Sequence, residues 1–399
     1  MPDSHARLPL DGVTVLDFTQ VEFGPIATQT LADFGAKVIK IERPGVGDII
    51  RHIDQHATGI DTSAYYLSLN RNKSSVCVNL KSEQGIAVLR ELLSEADVLV
   101  ENFRPGVLEK AGLGFDEVHA QFPRLIYASG TGFGPTGPLS AKGGQDMLAQ
   151  SLSGAANHAR DAAGRPQLHP VSFADFGAGQ ALVQGILLAI IERQRSGLGQ
   201  HVEVNLFDTM LFAQLQELTQ WKLRGKETNF VKDNLAGVFK TEDGWITIVG
   251  LFRENPLRDI CAAFDMEDLS KEERFKDLKS QLANKGELWP LLDAALGGFS
   301  TEECLKRLDA ADILCAPVLT HDAVLSHEQA IANGAFMTTE HPVAGEVTVV
   351  KSPVRLSRNS GTPVVSPPKL GADTNKVLAD VLGYSPAKLD ELRDAGAIA

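Results

Sequence analysis

The residue of this chain best placed for covalent chemistry is Asp175, in the run Val171-Ser172-Phe173-Ala174-Asp175-Phe176-Gly177-Ala178-Gly179, just ahead of a long apolar segment. Packing alone would prefer an apolar side chain there, so an ionisable carboxylate stands out as a nucleophile. From Gln180 to Gln194 the sequence is apolar on nearly every helical face. It breaks at Ser196-Gly197-Leu198-Gly199, a glycine-terminated helix end. The pattern predicts a buried helix with Asp175 at its start. Free N–H groups and the positive dipole end of such a helix suit a carboxylate and a developing oxyanion. Gly177 and Gly179 leave room for a substrate against the backbone. A plain helix cap fits the same position and, on position alone, is the commoner role.

The elements that must position this residue follow from periodicity. Val13–Phe18 reads as a strand, Ile26–Phe34 as a helix begun after Pro25, and Lys37–Glu42 as a second strand, together a βαβ unit. Ser82 caps a helix through Val88, Leu89 and Leu92, and Asp97–Val100 and Leu125–Ser129 read as buried strands. The apolar helix then turns through Gly197–Gln200 into the alternating strand His201–Leu206, so a parallel, doubly wound sheet of the α/β class is expected to about residue 210. Beyond Trp221–Asn234 the pattern changes to a hairpin over Phe239–Val249, turning at Glu242-Asp243-Gly244, and then to amphipathic helices from Asp259 to Leu308. Pro342, Pro353, Pro363, Pro367 and Pro368 mark an extended return segment before a final helix over Asn375–Leu382.

Composition narrows the function. With 399 residues, 43% hydrophobic and 22% charged, the chain has the make-up of a globular protein large enough for two cores. A formal charge of -13 argues against nucleic acid as a partner. The apolar run, flanked by Glu192 and Arg193, reads as too short to cross a bilayer, and no apolar signal core opens the chain, so no membrane association and a cytoplasmic location are expected. Cys77, Cys261, Cys304 and Cys315 are scattered without metal-like neighbours, which predicts free thiols and no metal site. Glu42 ends the second strand where an acidic residue often receives a ribose hydroxyl, but Thr19-Gln20-Val21-Glu22-Phe23-Gly24-Pro25 lacks the GxGxxG glycines, which ranks a nicotinamide enzyme low.

Several spaced motifs then occur in one order: LeuAspPheThrGlnValGluPheGlyPro at 16–25, ValIleLysIleGluArgPro at 38–44, AsnArgAsnLysSerSer at 70–75, GluAsnPheArgProGly at 101–106, GlyPheGlyProThrGlyPro at 132–138 and AlaAspPheGlyAlaGly at 174–179. Together they resemble the class III CoA-transferase family, also called CaiB/BaiF, over nearly the whole chain from Leu8 and most closely to about residue 220. The resemblance implies an enzyme that moves CoA between carboxylic acids or, in one branch, racemises an α-methylacyl-CoA. It also implies a homodimer of interlocked, ring-like chains, with a Rossmann-like large domain over 1–210 completed by 335–399, a small α/β domain over 226–325, and linkers at 211–225 and 326–334. Asp175 matches the family's catalytic aspartate. Glu22 stands where formyl-CoA transferases keep an active-site glutamine. Arg43, the stretch Val78-Asn79-Leu80-Lys81, Asn102-Phe103-Arg104 and Lys110 match positions that contact CoA in relatives, where basic groups hold phosphates and apolar neighbours flank the adenine. Arg71 and Lys73 are weaker candidates, and each of these residues also admits an ordinary solvated role.

Transfer chemistry makes use of one carboxylate. An ionised aspartate attacks the thioester to give a mixed anhydride and CoA thiolate. The thiolate returns to form an aspartyl-CoA thioester, and the acceptor acid then collects CoA through a second anhydride. CoA and acyl-CoA are substrates, with no prosthetic group or metal. The site must be dry and supplied with backbone N–H groups. The stretch Asn234-Leu235-Ala236-Gly237-Val238 matches a glycine-rich lid of some relatives but holds one glycine. In GlyGlyGlnAspMetLeuAlaGln at 143–150 racemases carry a His-Asp pair. Here the histidine position is Gln145, an amide that cannot exchange protons, which favours transfer over racemisation. His158 or His169 would be the substitute bases. Asp146 is a candidate for the pantetheine region or a helix cap. A CoA-binding subunit without catalysis is the remaining alternative. Ile53, where oxalate-specific members carry tryptophan, argues against oxalate, and Arg51 or His52 is the candidate receiver of a second carboxylate in a dicarboxylic substrate such as succinate.

Overall fold

The computed structural model describes residues 7–54, 63–161, 163–250, 252–359 and 364–399. Two compact units emerge, one running to Gln214 and resuming at Ala332–Ala399, the other spanning Leu215–Ile331. The segments expected as linkers are largely helical, over Leu215–Arg224 and Glu328–Ala332.

The larger unit is built on six parallel strands, β1 (Thr14–Asp17), β2 (Lys37–Glu42), β3 (Lys73–Cys77), β4 (Val98–Glu101), β5 (Ile126–Thr131) and β6 (His201–Asn205), in the order β3-β2-β1-β4-β5-β6. Strands buried on both faces read as apolar runs, and β4, ValLeuValGlu, is buried throughout. Helices cover both faces: α1 (Phe23–Asp33), α2 (Glu83–Ser94), α3 (Phe115–Gln121), α4 (Asp146–Leu152), α5 (Phe173–Ser196) and α6 (Leu206–Ala213). Ser82 caps α2 by accepting from the Gly85 N–H. The order reverses between β1 and β4, and the crevice outside the carboxyl ends of strands at such a point is where α/β sheets bind ligands.

The chain's end completes this unit. Helices α7 (Thr374–Leu382) and α8 (Pro386–Asp394), the second unforeseen, bring Val377, Leu378, Leu389 and Leu392 into the same core as Val76, Val88 and Leu89. Asp373 accepts from the Ser75 N–H, and Ile398 bridges to Val78. The return segment is preceded by an antiparallel hairpin, β10 (Phe336–His341) with β11 (Gly345–Val350), and Pro342 lies in its turn. Pro363 falls outside the described residues.

Two expectations change, and one strand, β3, was not foreseen. Helix α5 is 24 residues, long and apolar enough by length and composition to cross a membrane, so shortness is no argument against that. It is buried on one face only: Ala174, Ala178, Leu182, Ile186 and Ala189 pack inward, while Phe176, Leu188 and Ile191 are half exposed. Strand β3 escapes a hydrophobic reading because Lys73 sits inside it, neutralised by Asp17 at 3.0 Å.

The smaller unit carries an antiparallel sheet of β7 (Ala236–Lys240), β8 (Trp245–Val249) and β9 (Leu314–Pro317) around its own core of Phe239, Ile246, Leu257, Ile260 and Leu292. The stretch matched to a lid is part of β7, with Leu235 and Ala236 buried and the Gly237 position backed by the Trp289 ring. In this structure it is a sheet strand, not a glycine-rich flap.

Candidate active site

At the switch point the chain after β1 is bound in an unusual conformation. Val21 has φ 66°, a region a β-branched residue rarely adopts. Two clamps hold it there. Asn102 accepts from the Gln20 N–H and donates back to the Gln20 carbonyl, and Asp48 accepts from the Val21 N–H at 3.1 Å. Beneath lies a layer of buried ions: Lys40 pairs with Asp48 at 3.0 Å and donates to the Thr19 carbonyl, Lys73 pairs with Asp17, and Arg51 grips Glu42 through two hydrogen bonds. The consequence is a rigid loop that places Glu22 at the cleft.

The cleft encloses about 370 Å³ and is lined from five directions: Gln20–Phe23 after β1, Asn102–Pro105 after β4, Gly130–Gly132 ending β5, the loop Ser140–Gln145, and Asp175 with Leu206. Backbones approach closely here. A Cβ on Gly132 would stand 2.3 Å from the Gly144 Cα, so the two glycine stretches can meet only without side chains.

Asp175 lies in the first turn of α5 and is not its cap. Ser172 occupies the cap position without a side-chain capping bond, and the capping is done from α4. The buried Asp146 accepts from the Ala174 N–H at 2.7 Å and the Asp175 N–H at 3.2 Å, while Gln150 donates to its other oxygen. These N–H groups, expected to be free for an oxyanion, are therefore occupied. Nor do the glycines of α5 make room for substrate: a Cβ on Gly179 would strike Ile26 and the Phe23 carbonyl of α1, and one on Gly177 would meet Thr209. Replacing Asp146 by alanine is expected to cost about 1–2 kcal/mol, the range of a lost helix cap. It should lower kcat with little change in the KM for acyl-CoA, as urea unfolding and steady-state kinetics will show.

The electrostatics single out Asp175. Burial, then the neighbouring carboxyls of Glu22 and Asp146, push its pKa up to about 7. Glu22 is raised as well: burial outweighs a hydrogen bond from Ser172, and the Asp146 charge adds a smaller push in the same direction as burial. A nucleophilic carboxylate works only when ionised, so kcat/KM is expected to fall as pH drops through about 7. Stability carries the opposite sign. An acid whose folded pKa is raised binds its proton more tightly when folded, so its ionisation penalty is absent below the unfolded value of 3.8 and complete above about 7. Thermal unfolding should show Asp175→Asn more stable than the parent at pH 8, with the difference vanishing near pH 4.

A second groove of about 580 Å³ shares Gln20 and Phe103 with the first and is lined by Arg43, Leu80, Lys81, Val107 and Lys110 with apolar Ile41 and Ile49. Of the matched CoA positions the structure thus brings Arg43, Leu80, Lys81, Phe103 and Lys110 together. Arg104 instead lines the Asp175 cleft, against Gly143. Val78 is fully buried and Asn79 is tied to the chain end through the Gly396 carbonyl, so neither side chain lines the groove. Gln145 lines the cleft as the cap of α4. Its carbonyl accepts from the Met147 N–H, which leaves the amide NH2 as its donating end.

Other candidates are committed elsewhere. Arg71 pairs with Asp33, Glu42 is bound by Arg51 and Ser75, and Arg51 also reaches the Pro368 carbonyl. Arg51 is therefore no carboxylate receiver, and the exposed His52 bonds the Val46 carbonyl. His158 and His169 lie outside the cleft lining, as does Asp146. The sequence reading missed Gln20, Gly130, Thr131, Gly132, Ser140 and Lys142. The glycine motif at 132–138 was visible, but no local signal ties it to residue 175.

A doubly wound sheet with a partly buried carboxylate in the cleft at its switch point, beside a basic and apolar groove, has the layout of an α/β enzyme. The chain belongs to CoA-transferase family III, whose model matches residues 10–374. It is 32% identical to human succinyl-CoA:glutarate CoA-transferase over 99% of this chain and 91% of that protein. It is also 32% identical to formyl-CoA:oxalate CoA-transferase of Rhodopseudomonas palustris (strain BisA53) over 98% and 97%. Among solved structures, a CaiB/BaiF family protein from Brucella suis superposes with a TM-score of 0.86 at 30% identity, covering 94% of this chain and all of that one. The chain is thus a CoA-transferase, acting between an acyl-CoA and a carboxylic acid.

Proposed function

We propose that Asp175 is the covalent relay of this transfer. Its carboxylate attacks the thioester carbonyl carbon, a C–O bond forms as the C–S bond breaks, and CoA thiolate departs. The thiolate then attacks the Asp175 carbonyl, releasing the donor acid and leaving CoA on the aspartate. An incoming carboxylate reverses the sequence with its own acyl group. One observation carries this reading: Asp175 is a largely buried carboxylate that no cation or hydrogen-bond donor stabilises among the described residues, and it lines a cleft that shares Gln20 and Phe103 with the basic groove. Desolvation keeps such a group reactive and the anhydride away from water.

The groove holds CoA, with Arg43, Lys81 and Lys110 on its phosphates. Each alanine variant is expected to raise the KM for acyl-CoA by about tenfold, the worth of one charge-assisted contact, with kcat nearly unchanged in initial-rate kinetics. The acceptor is a small dicarboxylic acid, because Arg104 and Lys142 bring two positive charges to the cleft that would otherwise hold only acidic groups. Glutarate and oxalate are named for the relatives, and the first fits a chain lacking tryptophan at Ile53. The half-exposed stripe of α5, Leu188 and Ile191 with Phe212 of α6, is covered in a homodimer.

A donor and acceptor screen tests the reading. CoA exchange between succinyl-CoA and C4–C6 dicarboxylates supports it, and hydrolysis alone contradicts it. Racemisation is the second reading, because Glu22 and Asp175 put two carboxyls in one cleft. Solvent deuterium entering the α carbon of an α-methylacyl-CoA without CoA exchange would establish it.

A further inference from the structure

The ladder between β1 and β4 stops where Asp17 pairs with Val100, and its last bond runs from the Phe18 N–H to the Val100 carbonyl at 2.8 Å. Beyond that rung the two chains part to opposite faces of the sheet, one into the core with Phe23 and Ala27, the other into the core with Leu108 and Leu113. The loop after β1 thus loses its strand partner where the cleft and the groove meet. Backbone groups so placed need other partners, and side chains supply them. Asp17 accepts from the Thr19 N–H at 2.9 Å, Lys40 donates to the Thr19 carbonyl at 2.7 Å, and Asp48 accepts from the Val21 N–H at 3.1 Å. Between them Asn102 accepts from the Gln20 N–H at 2.8 Å and donates to the Gln20 carbonyl at 2.9 Å. Together these bonds hold Val21 at φ 66°, a conformation its branched side chain opposes.

Of these anchors, Asp17, Lys40 and Asp48 stand on β1, on β2 and just after β2, while Asn102 reaches across from β4. A carboxamide can imitate a strand neighbour in this way because it carries an acceptor and a donor side by side. The next residue, Phe103, lines both cavities as Gln20 does, and Glu101 holds its N–H at 2.8 Å. We propose that Asn102 is a positioning residue for the transfer: it adds one rung across the switch point and so fixes Gln20 against Phe103, the wall past which the thiol end of CoA reaches the Asp175 cleft. The resemblance placed Asn102 among the CoA contacts, but Gln20 engages both ends of its amide. The inference rests on the reading that the groove holds CoA and the cleft the reacting acyl group, and it adds what sets the two in register.

A displacement of about 1 Å at reacting atoms costs about a hundredfold in rate, even when its cause lies away from the chemistry. Asn102→Ala is therefore expected to lower kcat by about a hundredfold while the KM for acyl-CoA stays within about threefold. A double-mutant cycle with Val21→Gly separates positioning from general stability. Glycine takes the left-handed conformation without penalty and so depends less on the clamp. The substitution should raise the kcat of Asn102→Ala by about tenfold relative to its effect in the parent. Amide hydrogen exchange at Gln20, read without turnover, should quicken by about tenfold in Asn102→Ala. Should that variant fail to fold, Asn102→Asp, which keeps the acceptor and loses the donor, takes its place in the cycle. A raised KM with kcat unchanged, or kcat effects of the two substitutions that simply multiply, would overturn the proposal. If Lys81→Ala and Lys110→Ala leave the KM for acyl-CoA unchanged, the groove reading fails instead, and the cycle and the exchange rate still decide the role of Asn102.

Discussion

Asp175→Ala is expected to abolish CoA exchange, by a factor of about a thousand or more, because removal of a covalent nucleophile leaves no alternative path through the same intermediates. The fold should be untouched. Among the described residues the carboxylate supports nothing: the α5 start is capped by Asp146, and the neighbouring backbone bonds do not involve the Asp175 oxygens. Circular dichroism and thermal unfolding of the variant should therefore match or exceed the parent, and CoA binding in the groove lined by Arg43, Lys81 and Lys110 should persist by calorimetry. Loss of turnover together with loss of folding would mean that Asp175 is structural.

The reverse pattern is expected at Arg51. The guanidinium is buried, makes two bonds to Glu42 at 2.7 and 2.8 Å, lies 3.6 Å over the Tyr66 ring and donates to the Pro368 carbonyl. It joins β2, the turn at Ile49–His52 and the returning C-terminal segment. Arg51→Ala leaves Glu42 buried without its counter-ion, which costs about 3–5 kcal/mol. Urea unfolding should show that loss whichever acid is bound. A selective rise in the KM for dicarboxylates with stability unchanged would instead restore Arg51 as a substrate contact.

The contrast between these two residues shows what the sequence can reveal. The apolar runs of β1, β2, β4 and β5 were legible because burial on both faces leaves a local signature, the edge strand β6 because its residues alternate, and Asp175 because a carboxylate beside an apolar run breaks it. The partners were not. Asp146 lies 29 residues before Asp175, and Lys73 lies 56 residues after Asp17, yet these pairings decide that one acid caps a helix and that a lysine can sit inside a buried strand. Arg51 looks like a free surface cation in the run Asp48–Ile53, and only the fold places Glu42 and Pro368 around it. Helix α5 shows the same limit for apolar groups. Its sequence is greasy on nearly every side, but a single chain covers one face, so periodicity alone predicted burial where Leu188 and Ile191 are open. Five of the positions matched through the resemblance, Arg43, Leu80, Lys81, Phe103 and Lys110, line one groove, whereas Val78 and Asn79 beside them turn to the core and to the chain end, a difference no local pattern signals.

The most direct measurement is mass spectrometry of the protein quenched during turnover with succinyl-CoA and proteolysed under acidic conditions. A CoA-mass increment on the peptide containing Asp175, absent in Asp175→Ala and released by added acceptor acid at the rate of turnover, is the expected result. Steady exchange of CoA between acids with that peptide unmodified throughout, and hydroxylamine failing to intercept any acyl group on it, would contradict a covalent aspartyl relay.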